Sequence, residues 1–333
     1  MPPEPRFSQD LSLRELLAWL GPPAREALTR AGLEPAPARL TPEQVRSVLA
    51  ALGHDHPPRV VIFSNLKGGV GKTTSALHLA ARSAQLGRRV CLLDLDAQAS
   101  ASVACDALPG EDEAIFYDIW QRPKDYLPGA LRTIAPNLSL LPSALENGLL
   151  ETALAHPSAQ KKAVAGVAAA LIELGHDLIV CDCPPSLGTA VISAVCAADL
   201  VVIPLSADAF SFKGLELTLG EITGIRETFG LPAPLVRVVL TRLDARLKLS
   251  AEATRRLQTE HGDLLCPVAV RTSSQFAQVL EERRTVFAAD RQTPARADYA
   301  ALTTFLLGLD GLAGRVRPAS KEAAHGPKQA ARV

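Results

Sequence analysis

An α/β architecture, with a mostly parallel twisted sheet flanked by helices and a small helical extension at the N-terminus, is predicted for this 333-residue chain. Three observations carry that expectation. From Arg59 onward, short runs rich in Val, Ile and Leu alternate with helical stretches. A glycine-rich loop, Lys67-Gly68-Gly69-Val70-Gly71-Lys72-Thr73-Thr74, separates the first such run from the first such helix. Carboxylates, Asp94 and Asp182, stand at the ends of two later runs.

The extension covers residues 1–57. Ser12-Leu13-Arg14-Glu15 fits a capping box that opens a helix to Leu20, and Gly21-Pro22-Pro23 ends it. Residues 24–32 suit a second helix. Thr41-Pro42-Glu43-Gln44 repeats the capping signal, and Val45, Val48, Leu49 and Leu52 then form a helical apolar stripe before Gly53. Short helices of this kind can read DNA, form a dimerisation arm or simply pack, and the few arginines on the last one favour interaction or packing. His54, Asp55 and His56 lie in a proline-bounded linker, read as solvated rather than metal-binding, and Pro57-Pro58 marks the boundary.

The runs at 60–64, 90–95, 138–141, 178–183, 200–204, 236–241 and 267–270 read as strands. Their continuous apolar character suits a parallel sheet covered on both faces. In such sheets ligands bind beyond the carboxyl ends of the strands. Residues 75–86 read as a helix offering Leu77, Leu79, Ala80, Ala84 and Leu86 for packing, with Gly87 as its stop. The α/β domain spans residues 58–312. Residues 313–333 carry Arg315, Arg317, Lys321, Lys328 and Arg332 among Ala, Gly and Pro, and read as a basic, disordered tail.

The loop has a direct chemical meaning. A glycine-rich turn between strand and helix lets successive backbone N–H groups converge on phosphate oxygens, a lysine at position 72 reaches the β- and γ-phosphates, and the Thr73 hydroxyl can ligate magnesium. Lys67 has no part in that scheme. Asp94 and Asp96, two apart in an extended segment, are expected on one side of it, one facing the metal shell and the other an attacking water. Asp182 ends the apolar run that precedes Cys183-Pro184-Pro185-Ser186-Leu187-Gly188, a position suited to holding magnesium through water.

The segment Lys67 to Thr73, read KGGVGKT, resembles the deviant Walker-type P-loop ATPases of the ParA/MinD family, and DCPPSLG at 182–188 resembles the ParA proteins among them. The resemblance runs over about residues 59–308. It implies ATP and Mg²⁺ as cofactors, weak intrinsic ATP hydrolysis, and a nucleotide-sandwich homodimer formed on ATP binding, in which Lys67 contacts the phosphates held by the other subunit. On matching positions, Lys67, Lys72 and Asp96 are the catalytic residues. Residues Lys67, Gly68, Gly69, Val70, Gly71, Lys72, Thr73 and Thr74 bind nucleotide, and Thr73, Asp94 and Asp182 belong to the metal. The family's common DxDPQ reads Asp94-Leu95-Asp96-Ala97-Gln98 here, with alanine for proline and Ala99 for the glycine that follows. The resemblance also implies a ParB-type centromere-binding partner and nonspecific double-stranded DNA, the latter through Arg242, Arg246, Lys248 and Arg271.

Bulk composition limits the alternatives. Formal net charge is zero, so a nucleic-acid contact requires a local basic patch. No apolar run approaches the about 18 residues of a membrane span, and Pro2, Glu4, Pro5 and Asp10 occupy the place of a signal peptide's basic start and apolar core. The expected location is therefore cytoplasmic, and the resemblance implies association with the nucleoid. The six cysteines form no CxxC pair and read as reduced, buried small residues rather than cluster ligands. Competing readings are a ParA-like ATPase that positions a protein cargo, a MinD-like membrane regulator, which would need an amphipathic anchor, and a metabolic ATP-dependent ligase, which would need a small-molecule pocket.

Overall fold

The computed structural model describes residues 7, 10–207, 211–244, 246–289 and 291–312. Two-residue strands β1 (Leu11–Ser12) and β2 (Arg39–Leu40) pair antiparallel in the extension. The main sheet contains β3 (Arg59–Phe63), β4 (Val90–Asp94), β5 (Arg132–Ala135), β6 (Leu138–Leu141), β7 (Leu178–Asp182), β8 (Leu200–Ser206) and β9 (Leu235–Thr241). Their order is β5-β6-β4-β7-β3-β8-β9, parallel throughout except for the β5–β6 hairpin at one edge.

Alternation along each central strand builds two cores. Val61, Phe63, Leu92, Leu178 and Val180 face the helix Lys72–Gln85, the C-terminal helix Pro294–Leu306 and the extension. Val60, Ile62, Cys91, Leu93, Ile179 and Cys181 face the helices Pro157–Glu173 and Thr189–Ala197. All six cysteines are buried and none is in a disulfide. The expected strand at 267–270 does not form. Only single bridges, Val238 to Leu265 and Leu243 to Arg271, touch the edge there, because Pro267 has no N–H to extend a ladder. The hairpin strand β5 went unread, since Arg132-Thr133-Ile134 alternates like an exposed edge and is too short to stand out.

In the extension, helices run Leu13–Leu20, Pro23–Arg30 and Pro42–Ala51. Thr41 and Gln44 form the reciprocal capping box. Ser12 caps only one way, accepting from the Glu15 N–H, because the Glu15 carboxylate is used elsewhere. Leu16, Leu20, Leu28, Val45, Val48 and Leu49 are buried in the same core as Leu77 and Leu79 of the helix Lys72–Gln85. Arg46 fixes the seat, donating to the Gly87 carbonyl at 2.9 Å and pairing with Asp177 at 2.6 Å. The tail at 313–333, expected to be disordered, lies outside the described residues.

Gly87 ends the helix Lys72–Gln85 in the left-handed region (φ 83°), and a Cβ there would lie 2.6 Å from both the Pro42 carbonyl oxygen and the Arg46 Cβ. Gly87→Ala should therefore cost at least about 2 kcal/mol, combining backbone strain with a backbone collision. A denaturant midpoint indistinguishable from wild type would show that the extension is not seated this tightly.

Candidate functional site

The loop after β3 is shaped by its glycines and pinned by a residue outside the motif. Gly69 and Gly71 take positive φ (72° and 88°), and Gly71 is the N-cap of the helix Lys72–Gln85. The first turn of that helix therefore presents its free N–H groups and positive dipole end to the loop. Buried Asn65 accepts from the Lys67 N–H at 2.9 Å and donates to the Pro204 carbonyl at 2.7 Å, which ties the loop entry to β8. Nothing in the glycine motif announces Asn65; its only signal was a polar residue directly after an apolar strand.

Lys72 is 7% exposed and donates to the Lys67 carbonyl at 3.1 Å across the loop. Burial lowers its pKa, and the carboxylate of Asp182 works the other way. Asp182 pairs in register with both Phe63 of β3 and Asp94 of β4, which sets the two carboxylates side by side at adjacent strand ends. Neither Asp182 oxygen has a hydrogen-bond partner of ordinary geometry, and both are fully buried. Burial pushes its pKa well above the usual carboxylate range, and Asp94 adds to the rise. Hydrogen bonding by the Thr73 hydroxyl and the positive charge of Lys72 oppose it. Two buried carboxylate oxygens beside a half-buried threonine hydroxyl and a lysine fit a hydrated divalent cation.

Asp94 departs from the expected pair. Its Oδ2 accepts from the Ser102 N–H (2.9 Å) and hydroxyl (2.7 Å), and its Oδ1 accepts from the Asp96 N–H at 3.3 Å. Burial raises its pKa to about 6, against the pull of those donors. Both oxygens thus hold the following loop, Oδ2 through two short bonds and Oδ1 through one long one. The reason is local: β4 ends at Asp94 and residues 96–99 turn, with the Ala99 N–H on the Asp96 carbonyl at 2.8 Å. The two-residue alternation stops there. Asp96 is left half-exposed, its carboxylate accepting from the Gln98 N–H at 3.0 Å. Ser143 and Asn147, which sequence reasoning missed, brace this turn. Ser143 Oγ donates to the Asp96 carbonyl at 2.7 Å, and Asn147 donates to Ser143 Oγ at 2.7 Å.

The four basic residues expected to touch DNA do not share one situation. Exposed Arg242 donates to the Gly69 carbonyl at 3.0 Å and so stands beside the loop. Arg246 is paired with Asp244 at 2.8 Å, and Arg271 with Asp298 at 2.6 Å. Lys248 begins the helix Lys248–His261, its side chain lying outside those described. In the linker, His56 is held at about 3 by burial and by Arg88 and Arg46, consistent with a packed neutral imidazole.

Beneath the loop helix, His78 is fully buried, stacked on Tyr299 with ring centroids 4.5 Å apart. Its Nδ1 donates to the Thr74 carbonyl (2.7 Å), and its Nε2 accepts from the Val286 N–H (3.2 Å). Burial lowers its pKa to about 4, although the Thr74 contact opposes the shift. Above its ordinary pKa of 6.5 the imidazole is neutral in folded and unfolded chains alike. Between about 6.5 and 4 only the unfolded chain takes up the proton, so stability is lost as pH falls, by on the order of 3 kcal/mol. Asp94 and Asp182, raised in the folded chain, oppose this over the same window. The effect is therefore read as the pH dependence of the stability difference between wild type and His78→Gln, and a flat difference would refute it.

A parallel sheet with a glycine loop, a buried lysine and an unpartnered carboxylate at its strand ends defines a phosphate-loop nucleotide-binding protein. The model of the AAA_31 family, described as an AAA domain, matches residues 58–231. The chain is 34% identical over 259 residues to the cell division protein PomZ of Myxococcus xanthus, covering 78% of this chain and 79% of PomZ. It is 30% identical over 209 residues to the chromosome partitioning protein ParA of Caulobacter vibrioides, covering 62% and 78% of the two chains. Among solved structures, McdA(D38A) of Cyanothece in complex with ATP superposes with a TM-score of 0.66 at 21% identity, over 77% of this chain and 98% of McdA. Cobyrinic acid a,c-diamide synthase of Mycobacterium smegmatis, with a bound ATP analogue and magnesium, gives 0.63 at 25% identity, over 75% and 94%. The chain belongs to the ParA/MinD-type P-loop ATPases, within the ParA-like partitioning ATPase family. No helix among the described residues is long and apolar enough to cross a membrane.

Proposed function

We propose that this chain is a DNA-partitioning ATPase of the ParA type, switched by ATP into a nucleotide-sandwich dimer that holds nonspecific DNA and is stimulated by a ParB-type partner. The observation that carries the reading is the exposed Lys67 at the entry of a loop that already has Lys72 buried inside it. One lysine serves its own subunit's phosphates, and a second, exposed one suits phosphates held by another subunit. Mg–ATP would be held by residues 67–74, with Thr73 and Asp182 on the metal's water shell. Bound magnesium supplies charge neutralisation on the β- and γ-phosphates. Lys72 holds its ammonium over the loop, Lys67 brings positive charge across the interface, and Asp96, free of the core, orients a water. In this reading the protein is cytoplasmic and nucleoid-bound. Residues 1–57 are an extension of the ATPase domain 58–312, and 313–333 are its tail.

A second reading, a ParA-like ATPase that positions a protein cargo, gains from the ion pairs of Arg246 and Arg271, which leave less free positive charge than the sequence suggests. Binding to random-sequence duplex DNA with ATP or ADP separates the two. The partitioning reading expects ATP-dependent binding. A dimer making about six phosphate contacts should lose roughly three decades of affinity between 50 and 200 mM salt. Absence of DNA binding at low salt, in a protein that still hydrolyses ATP, would leave the cargo reading. The metabolic ligase reading would be supported instead by ATP turnover that requires a small acid and an amine donor.

A further inference from the structure

The phosphate loop is gripped by two consecutive residues at the end of β9. Thr241, buried, donates its hydroxyl to the Val70 carbonyl at 2.7 Å. Arg242 donates its guanidinium to the Gly69 carbonyl at 3.0 Å. Consecutive side chains of an extended strand point to opposite sides and would not both reach one loop. Here they do, because Arg242 leaves the strand in the left-handed region, at φ 51°. A non-glycine residue held there is uncommon, and such outliers gather at functional sites.

We infer that Thr241 and Arg242 form a latch that sets the phosphate cradle, acting as positioning residues for nucleotide in the same subunit. A trans peptide points its carbonyl and the following N–H in opposite directions. Drawing the Gly69 and Val70 carbonyls toward β9 therefore turns the N–H groups of Val70 and Gly71 away from it, into the hollow of the loop. Those N–H groups are the ones a phosphate needs. Gly69 and Gly71, both at positive φ, have flexible backbones that would otherwise let the peptides rotate. The guanidinium also leaves a positive charge at the rim of the cradle. Arg242 thus differs from Lys67, which points outward, and from Lys72, which enters the loop from its helix.

This inference rests on the reading of residues 67–74 as a nucleotide loop, and the experiment keeps the two apart. Equilibrium binding of Mg–ATP is measured for wild type, Lys72→Ala, Arg242→Ala, Arg242→Lys and Thr241→Val, alongside the melting temperature of each without nucleotide. Arg242→Ala and Thr241→Val are each expected to weaken Mg–ATP about tenfold, the scale of one charge-assisted or buried hydrogen bond. Arg242→Ala should melt like wild type, and Arg242→Lys should recover most of the affinity, since an ammonium can reach the same carbonyl. Wild-type affinity in both Arg242→Ala and Thr241→Val would overturn the latch while Lys72→Ala still loses nucleotide. A loss in Arg242→Ala matched by a lowered melting temperature, without rescue by lysine, would reduce it to a folding role. No Mg–ATP binding by wild type would overturn the latch together with the loop reading.

Discussion

Lys72→Ala is expected to lose tight Mg–ATP binding altogether, while Asp96→Ala keeps it and loses hydrolysis. The difference follows from where the two side chains sit. The Lys72 ammonium is nearly buried, held over the loop by the Lys67 carbonyl, and faces Asp182 with no other cation described inside that hollow. Removing it takes away the ammonium that offsets polyphosphate charge beside the buried carboxylate of Asp182. A hydrogen-bonded charge contact of this kind contributes about 3 kcal/mol or more, upward of a hundredfold in affinity. Asp96 stands on a half-exposed turn braced by Ser143, and its truncation leaves the cradle untouched. Nucleotide titration and single-turnover hydrolysis of both variants check this. Normal hydrolysis by Asp96→Ala would remove it from the chemistry.

Glu15→Gln is the largest stability effect expected away from the loop. Glu15, on the first helix of the extension, pairs with Arg82 and Arg296, both at 2.7 Å, and the two arginine side chains are only 3% and 2% exposed. Their guanidinium groups lie 5.3 and 5.2 Å from the Phe287 ring, and Arg296 also donates to the Ala289 carbonyl at 3.1 Å. One carboxylate thus answers two buried cations contributed by the loop helix and the C-terminal helix. Glutamine preserves the shape and an acceptor but leaves like charges facing each other out of water, at a cost of about 3 to 5 kcal/mol. Urea unfolding measures it. Adding Arg82→Met to Glu15→Gln should recover part of the loss by removing one stranded charge. A single-variant loss below about 1 kcal/mol would mean that water reaches the triad.

Reading the sequence located the phosphate loop, the buried strands and the helix stops, because each is written in contiguous residues whose backbone or burial needs are specific. Gly71 and Gly87 both take the left-handed conformations their positions require, and Asp182 ends its strand in register with Phe63. What was not legible depends on residues far apart in the chain. Nothing beside Asp94 in the sequence shows that Ser102 donates to its carboxylate. Arg242 is exposed as its sequence suggests, but nothing local shows Gly69 standing opposite. The cap at Ser12 read as a reciprocal box, but its glutamate had a stronger demand nearly the whole domain away. The charges of Arg246 and Arg271 are counted correctly from sequence, yet their neutralisation by Asp244 and Asp298 is a fact of packing.

The Glu15 triad also has a consequence for the order in which the protein is made. Its carboxylate leaves the ribosome before Arg82, and Arg296 follows 281 residues after Glu15. Until then the loop helix lacks the Pro294–Leu306 helix that covers it, including Tyr299, which stacks on His78 and hydrogen-bonds Ser75 at 3.0 Å. A nascent chain that already carries the whole of residues 67–74 is therefore still unfinished around the helix that follows them. Nucleotide competence should appear abruptly in translation, with the addition of the Pro294–Leu306 helix, and chains arrested before Arg296 should remain clients for chaperones.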